Sequence, residues 1–435
     1  MKSHSEYLAF LDSLCENWRA FPNTANYKGY YEFLTQTIVL PDIEGSDAES
    51  ATAGNLSSKL KIYPLLAHEL RHWEDHVSTL WGREFLIAAY NAIHARASNL
   101  EKNFSMVMDF RYQLNRVFLD DYYTQFDVGA EDPVRPWSAK HTCGILFDER
   151  GRLDESRPIV FTRFSDCMKR EIVRVPFSAA SLLEVNARCD QIGIHIGLVS
   201  TISNPDVRLM EQAGVDVYLR KLYDPLQCVY TVAAHNAGNV MNIADPLTAY
   251  KLAESISMLC LNMPTSAFKK LIIPTLFRGE AEAFRRAERL RVLKDRGFLF
   301  VCLLEHGRGE RIDEPTAWIE AVLTKAGLPN LATLEMDAVA EFNSAPGIIA
   351  GPEEERLGKL LHVGRRMFRR RGILNYHPLQ SLNSLGTHRV EFLPSIFLRN
   401  GVFTANGIPH CDEDWIERSK SYDAKIREFA RACMP

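Results

Sequence analysis

Two histidines with a glutamate between them have the types and the spacing to do chemistry. His68 and His72 are four residues apart, so on a helix both imidazoles lie on one face and can reach one metal ion. Glu69 is offset from His68 by about 100° and can hold a water molecule on that ion. Zinc lowers the pKa of such a water to about 7, and the carboxylate can take its proton as the water attacks a carbonyl carbon. The pattern predicts a Zn²⁺ site with His68 and His72 as ligands and Glu69 as general base.

The helix that must present these side chains also has an apolar face. Its apolar residues recur at spacings of four and three residues and form one seam, Leu66, Leu70, Trp73, Val77 and Leu80. His68, His72 and His76 fall on another face, as the wall of a cleft requires. The alternative is a histidine face that is simply solvated, flanked by Arg71 and Asp75.

The segment His68-Glu69-Leu70-Arg71-His72 resembles the active-site helix of the zincin metallopeptidases, and here too it follows a β-rich run and a loop. The resemblance covers about a dozen residues. It implies a zinc-dependent hydrolase that acts on peptide bonds. The chain departs from the family pattern at Arg71, where an uncharged residue is usual, and at Glu74, where an apolar residue is expected.

A catalytic zinc takes three protein ligands and a water. His76 lies about 12 Å along an unbroken helix from His68, at a rise of 1.5 Å per residue, and no glycine breaks the helix before Gly82. We therefore expect His76 beside the ligands or on the surface. The gluzincin branch of the zincins uses a glutamate from a later helix, and this resemblance implies Glu184 as the third metal ligand.

Glu184 lies in a segment rich in small residues, which would allow close packing, and Ser178 is a candidate N-cap for its helix. In the family an aspartate that orients a histidine often follows this glutamate by four residues. Here that position is Arg188, and Asn186 or Asp190 are the alternatives. The other interpretation of Glu184 is an ordinary surface carboxylate.

The oxyanion of the transition state also needs a donor, usually a tyrosine, histidine or arginine. Four side chains downstream of Glu184 are candidates: His195, Tyr218, Tyr223 and His235.

The composition excludes several classes of protein. Of the 435 residues 46% are hydrophobic and 24% charged, a balance typical of soluble globular proteins. The net charge of −4 argues against a general nucleic-acid or membrane binder. Nine cysteines without a CxxC pair argue against a disulfide framework. No signal peptide and no apolar run of about 18 residues is evident, so the cytoplasm is the expected location.

We expect an α+β, mainly helical fold: a zincin-like active-site helix with a short β-sheet and a helical C-terminal region. Residues 1–270 are predicted as the metallohydrolase domain, with 127–158 as an insertion or linker, and 271–435 as a helical accessory domain. The acidic stretch 42–58 is predicted as a mobile loop that could serve as a lid. A helix is predicted at 5–21, and Asp412 is predicted as the N-cap of the last helix.

The expected partners are a protein or peptide substrate and a regulatory partner that gates the site. A hydrolase of non-peptide amides or esters is a second interpretation. The third is a helical scaffold whose contact site is the basic run 365–371, and nucleic acid is expected, if anywhere, only there. The sequence has no nucleotide-binding or serine-hydrolase motif.

Overall fold

The computed structural model describes residues 29–98, 101–119, 122–126, 137–147, 151–310, 315–345, 347–374, 394–403 and 413–433. Over these ranges the protein is mainly helical with two small β-sheets, so the expected mainly helical α+β class is confirmed. The predicted helix at 5–21 and the predicted cap Asp412 lie outside them. No helix within them is both long and apolar enough to cross a membrane.

The strands are β1 (Tyr30–Glu32), β2 (Thr37–Leu40), β3 (Thr124–Gln125), β4 (Ser138–Phe147), β5 (Leu153–Ser165), β6 (Glu171–Phe177), β7 (Ser395–Leu398) and β8 (Gly401–Phe403). The helices of the first half are α1 (Gly45–Thr52), α2 (Leu56–Ser78), α3 (Leu80–Ser98), α4 (Ser105–Val117), α5 (Ala179–Ser200), α6 (Pro205–Arg220), α7 (Cys228–Met241) and α8 (Pro246–Leu261). Those of the second half are α9 (Ala281–Val292), α10 (Arg296–Gly307), α11 (Pro315–Lys325), α12 (Leu331–Asn343), α13 (Glu354–Arg371) and α14 (Glu413–Ala432).

The first sheet joins the two ends of the chain. Its strand order is β1-β2-β7-β8, with β2 and β7 parallel and the two outer pairs antiparallel. Ile38 pairs with Ile396 and Leu40 with Leu398, and these side chains pack on Ile62 of α2 in one apolar cluster. The packing places β1 beside the histidine-bearing helix.

The second sheet, in the order β3-β6-β5-β4, is antiparallel throughout. Its hairpin β4–β5 includes residues 138–147 and 153–158, so much of the stretch predicted as an insertion or linker is regular structure. The prolines and acidic residues of 127–158 concealed this strand pattern. Strand β6 runs through Ser178 directly into α5.

Helices α2 and α5 form the centre of the protein and run antiparallel. Asp75 near the end of α2 meets Asn186 near the start of α5, and Arg71 meets Asp190 one turn further along. Small buried residues on α5, Ala180 and Ala187 among them, let the two helices approach closely. Helix α8 packs on α5, and Ser257 donates a hydrogen bond to the Leu182 carbonyl at 3.0 Å.

The prediction of a mobile loop or lid at 42–58 is wrong. Residues 45–52 form α1, in which Ala48 and Ala51 are buried, and α2 begins at Leu56. The polar residues that suggested a loop cap these helices instead: Asn55 accepts a hydrogen bond from the Ser58 backbone N–H at 3.0 Å. The apolar run 298–304 likewise belongs to a buried helix, α10.

The two predicted domains contact each other closely. The first sheet contains strands from residues 30–40 and 395–403, and Gly364 of α13 lies so near α2 that a Cβ there would be 1.7 Å from the Val77 carbonyl oxygen. One hydrophobic cluster includes residues from both sides of position 270. That 1–270 and 271–435 fold independently stays a prediction.

Candidate metal centre

The two predicted histidine ligands face each other on one side of α2. The Nε2 atoms of His68 and His72 are 3.2 Å apart, and the two rings are nearly perpendicular, at 85°. This is the arrangement expected of residues one turn apart on an unbroken helix. Both side chains are largely buried, which contradicts the alternative of a solvated histidine face.

Glu184 brings a carboxylate from α5 to the same point. Its Oε2 lies 3.5 Å from His68 Nε2, and its Oε1 lies 3.6 Å from His72 Nε2. The helix begins as the sequence predicts, because Ser178 Oγ accepts a hydrogen bond from the Ala180 backbone N–H at 3.2 Å. Buried and oriented in this way, Glu184 is not an ordinary surface carboxylate.

The spacing of these three groups fits a small divalent ion. In a tetrahedral zinc site with bonds of about 2.0–2.1 Å, neighbouring ligand atoms are about 3.3 Å apart. The three separations found here are 3.2, 3.5 and 3.6 Å. Among the described residues, His68, His72 and Glu184 form the one group of at least three such side chains that could hold a metal ion.

The protonation state of His68 and His72 is also suited to metal binding. Burial lowers the pKa of both His68 and His72 to about 3, with smaller contributions from nearby positive charge. Both imidazoles are therefore neutral near pH 7 and offer a lone pair, as metal binding requires. Glu184 Oε2 is buried without a hydrogen-bond partner in the described structure, a costly arrangement that a bound cation would relieve.

Glu69 lies beside this group, on the side of β1. It is buried, and a Cβ placed on Gly29, just before β1, would be 3.4 Å from its Oε1. The backbone N–H of Tyr31 in β1 donates a hydrogen bond to the carboxylate. Burial and the nearby charge of Glu184 raise the pKa of Glu69 well above its usual value. When ionised, Glu69 is thus a stronger base than an exposed glutamate.

The far wall of the site is polar and comes from α5, α6 and α7. The guanidinium of Arg188 lies over the rings of Tyr218 and Tyr230, with its Cζ 4.8 and 5.3 Å from their centroids. Gln191 Oε1 accepts hydrogen bonds from Tyr218 Oη at 2.7 Å and from Arg188 Nη1 at 3.3 Å. The side chain of Gln191 also raises the pKa of His68.

Of the four predicted oxyanion donors, Tyr218 is linked to the proposed ligands through Gln191, which accepts its hydrogen bond and interacts with His68. Tyr223 and His235 lie in a separate aromatic cluster, with ring centroids 4.9 Å apart. Burial lowers the pKa of His195, and Glu211 partly offsets this effect. Arg188 is the residue that sequence reasoning missed as a feature of the site, because the family pattern places an aspartate there.

His76 is neither a ligand nor a surface residue. Its Nδ1–H donates a hydrogen bond to the His72 carbonyl at 2.8 Å, and its ring stacks on Phe33 with 6.2 Å between centroids. Trp81 and Phe85 complete the aromatic surroundings. Of the two expected positions for His76, the surface is wrong, whereas its hydrogen bond to the His72 carbonyl places it beside a proposed ligand.

The two departures from the zincin pattern are internal ion pairs. Arg71 is fully buried and contacts three carboxylates, those of Asp75 at 2.8 Å, Asp190 at 3.4 Å and Glu254 at 3.2 Å. Glu74 contacts Arg371 of α13 at 2.6 Å. Both residues fasten α2 to neighbouring helices and leave the histidine face unobstructed.

Asn186 and Asp190, proposed as substitutes for the orienting aspartate, take part in this buried network. Asn186 donates a hydrogen bond to Asp75 at 2.9 Å, and Asp190 contacts Arg71. Asn186 and Asp190 thus contact residues of α2 other than His68 and His72. Gln191, on the same helix, interacts with His68.

The basic run 365–371 is only partly a surface feature. Arg366, Arg369 and Arg370 are exposed, whereas Arg371 is buried against Glu74 and Ser78.

Comparison of the chain with protein-family models, with curated proteins and with solved structures gives no match.

Proposed function

We propose that the protein is a zinc-dependent hydrolase that cleaves peptide bonds. One observation carries the proposal: two neutral imidazoles and a carboxylate converge at tetrahedral spacing, with a second buried carboxylate beside them. His68, His72 and Glu184 would hold the ion. Bound zinc supplies a Lewis acid that lowers the pKa of a water molecule and polarises a carbonyl group.

Glu69 is the general base in this proposal. Its raised pKa suits it to accept a proton from the attacking water and to return that proton to the leaving amine. The hydrogen bond from Tyr31 holds its carboxylate in place on the β1 side of the ligands.

Strand β1 supports a peptide as the substrate. Among the described strands it pairs only with β2, and in this proposal an extended chain lies along its other edge, beside Glu69. Because β1 also contacts Glu69, a peptide bound along this edge passes close to the base. A small non-peptide amide or ester would not use that edge.

A non-catalytic interaction protein is the second candidate, and the exposed basic face of α13 favours it. Lys359, His362, Arg366, Arg369 and Arg370 are exposed and recur at helical spacing. The partner of such a face would be acidic. This candidate predicts that the chain binds no zinc and that its contact depends on α13.

The test is the metal content of the purified full-length protein. We expect about one zinc per chain in the wild type and in Glu69→Gln, and much less in His68→Ala, His72→Ala and Glu184→Ala. His362→Ala is the control, because this histidine is exposed on α13 and contributes nothing to the site. Hydrolysis of a mixed peptide library should require zinc and disappear in Glu69→Gln. A wild-type chain that takes up no zinc when the ion is in excess would refute the proposal.

A further inference from the structure

Arg188 has an unusual place for a positive charge. It follows Glu184 by four residues on α5, so it lies one turn, or about 6 Å along the axis, beyond the proposed ligand. The two residues therefore share one face of α5, and the positive charge of Arg188 acts on the pKa of both His68 and Glu184, lowering each. The side chain is half-buried.

The guanidinium is held rigidly. It lies over the rings of Tyr218 and Tyr230, and the amide oxygens of Gln191 and Gln227 accept hydrogen bonds from Nη1 and Nη2 at 3.3 and 3.2 Å. These two bonds use two of the five N–H donors of an arginine. The Nε–H donor is buried and has no partner in the described part of the chain. The guanidinium of Arg188 is thus fixed in position and keeps N–H donors that these bonds do not use.

No carboxylate pairs with Arg188 among the residues that the structure describes. Arg71 and Arg371, which are more deeply buried, each contact a carboxylate, of Asp75 and of Glu74 respectively, whereas the guanidinium of Arg188 contacts amide oxygens. A cation that is partly removed from water without a counter-ion is costly, and an anion bound beside Arg188 would relieve that cost.

We propose that Arg188 binds a carboxylate of the substrate and so sets the specificity of the hydrolase proposed above. An arginine with its fork held in place binds a carboxylate through two parallel hydrogen bonds. One residue of an extended peptide spans about 3.3–3.6 Å, so the 6 Å offset from the ligands corresponds to one or two residues. The favoured substrates are peptides with a carboxylate one or two residues from the cleaved bond, either a C-terminus or an Asp or Glu side chain.

The experiment compares three peptides that differ only in the carboxylate. The first ends in a free C-terminus one residue after the scissile bond, the second ends there in an amide, and the third has the amide together with an Asp side chain. Calorimetry gives the Kd of each peptide for zinc-loaded Glu69→Gln protein, with and without Arg188→Met or Arg188→Lys. Turnover is measured with the same Arg188 variants in the Glu69 background. Arg174→Met is the matched control, since Arg174 is also half-buried, lies 5.0 Å from an aromatic ring and sits in the second sheet.

We expect the acidic peptides to bind about 10- to 100-fold more tightly than the neutral one, as one charge-assisted pair allows. Arg188→Met should reduce the preference to less than about twofold, Arg188→Lys should keep part of it, and Arg174→Met should keep all of it. Whichever of the two acidic peptides binds more tightly identifies the source of the carboxylate. The effect should appear in KM rather than in kcat.

Two results would overturn the proposal: equal affinity of the wild-type site for the acidic and neutral peptides, or an equal loss of kcat for all three in Arg188→Met. The second result would make Arg188 a donor to the oxyanion. If Arg188→Met does not fold, the decision rests on Arg188→Lys, which must lose at least part of the preference. Metal content is measured on the same samples, so a chain that binds no zinc refutes the hydrolase, whereas a zinc-loaded chain without preference refutes only the role of Arg188.

Discussion

Replacement of His76 by phenylalanine separates packing from metal binding. The ring of His76 lies among aromatic side chains, and burial lowers its pKa to about 4, from an ordinary value near 6.5. The unfolded chain therefore takes up a proton before the folded chain does. Above pH 6.5 the protonation of His76 does not affect the free energy of unfolding, and as the pH falls from 6.5 toward 4 it lowers that free energy. A phenylalanine cannot be protonated and keeps the aromatic packing.

The expected difference in the free energy of unfolding between His76→Phe and the wild type changes sign with pH. Near pH 7 the variant loses the hydrogen bond to the His72 carbonyl and should be about 1 kcal/mol less stable. At about pH 4.5 the unfolded wild type has bound a proton at His76 that the folded protein has not. The shift of about 2 pKa units lowers the free energy of unfolding of the wild type by about 2.7 kcal/mol, at about 1.36 kcal/mol per unit. The variant should then be more stable than the wild type by about 1–2 kcal/mol.

Urea unfolding in a chelating buffer, at several pH values between about 7 and 4.5, measures both differences. His362→Phe, at an exposed position, serves as the control, and its free energy of unfolding should change with pH as that of the wild type does. If the free energy of unfolding of His76→Phe also changes with pH as that of the wild type does, burial does not lower the pKa of His76 and the argument is refuted. Loss of zinc from His76→Phe at neutral pH would contradict its placement outside the metal centre.

The remaining predictions concern ion pairing, close packing and the metal. Arg371→Met removes the guanidinium that contacts the buried Glu74 and should cost about 3–5 kcal/mol in urea unfolding. Glu74→Leu combined with Arg371→Met should recover most of that loss, and an additive loss in the double variant would contradict the pairing. Gly364→Ala places a methyl group against the Val77 carbonyl and should lower the melting temperature sharply, while alanine at Gly358, which has open space, should not. Zinc at about 100 times its Kd should stabilise the wild type by about 2.7 kcal/mol in calorimetry and Glu184→Ala hardly at all, and equal stabilisation of both would argue against Glu184 as a ligand.

Spacing within one helix was the most predictable part of the site. His68 and His72 must share a face once α2 is helical, because a helix repeats every 3.6 residues. The resemblance to the zincins supplied Glu184, which lies 112 residues further along the chain and which spacing alone could not have selected. Sequence reasoning did not show which helices face each other, so the positions of Arg188 and Tyr218 at the site and the aromatic surroundings of His76 appeared only in the structure.

Charge was the least predictable signal. Arg71, Glu74 and Arg371 were interpreted from their polarity as exposed or as departures from a pattern, yet each is buried with a partner distant in sequence. The acidic stretch 42–58 was wrongly predicted as a loop for a similar reason, because helix caps use the same residue types as loops. Long-range partners decide whether a charged residue is solvated, and one sequence does not reveal them.

The parallel pairing of β2 with β7 has a consequence for how the protein is made. Residue 38 pairs with residue 396, so the strand beside β1 gains its second neighbour only after 358 further residues have been synthesised. The histidines, Glu69 and Glu184 are all synthesised before β7. The sheet that flanks Glu69 is therefore completed after the residues of the proposed metal centre have been made.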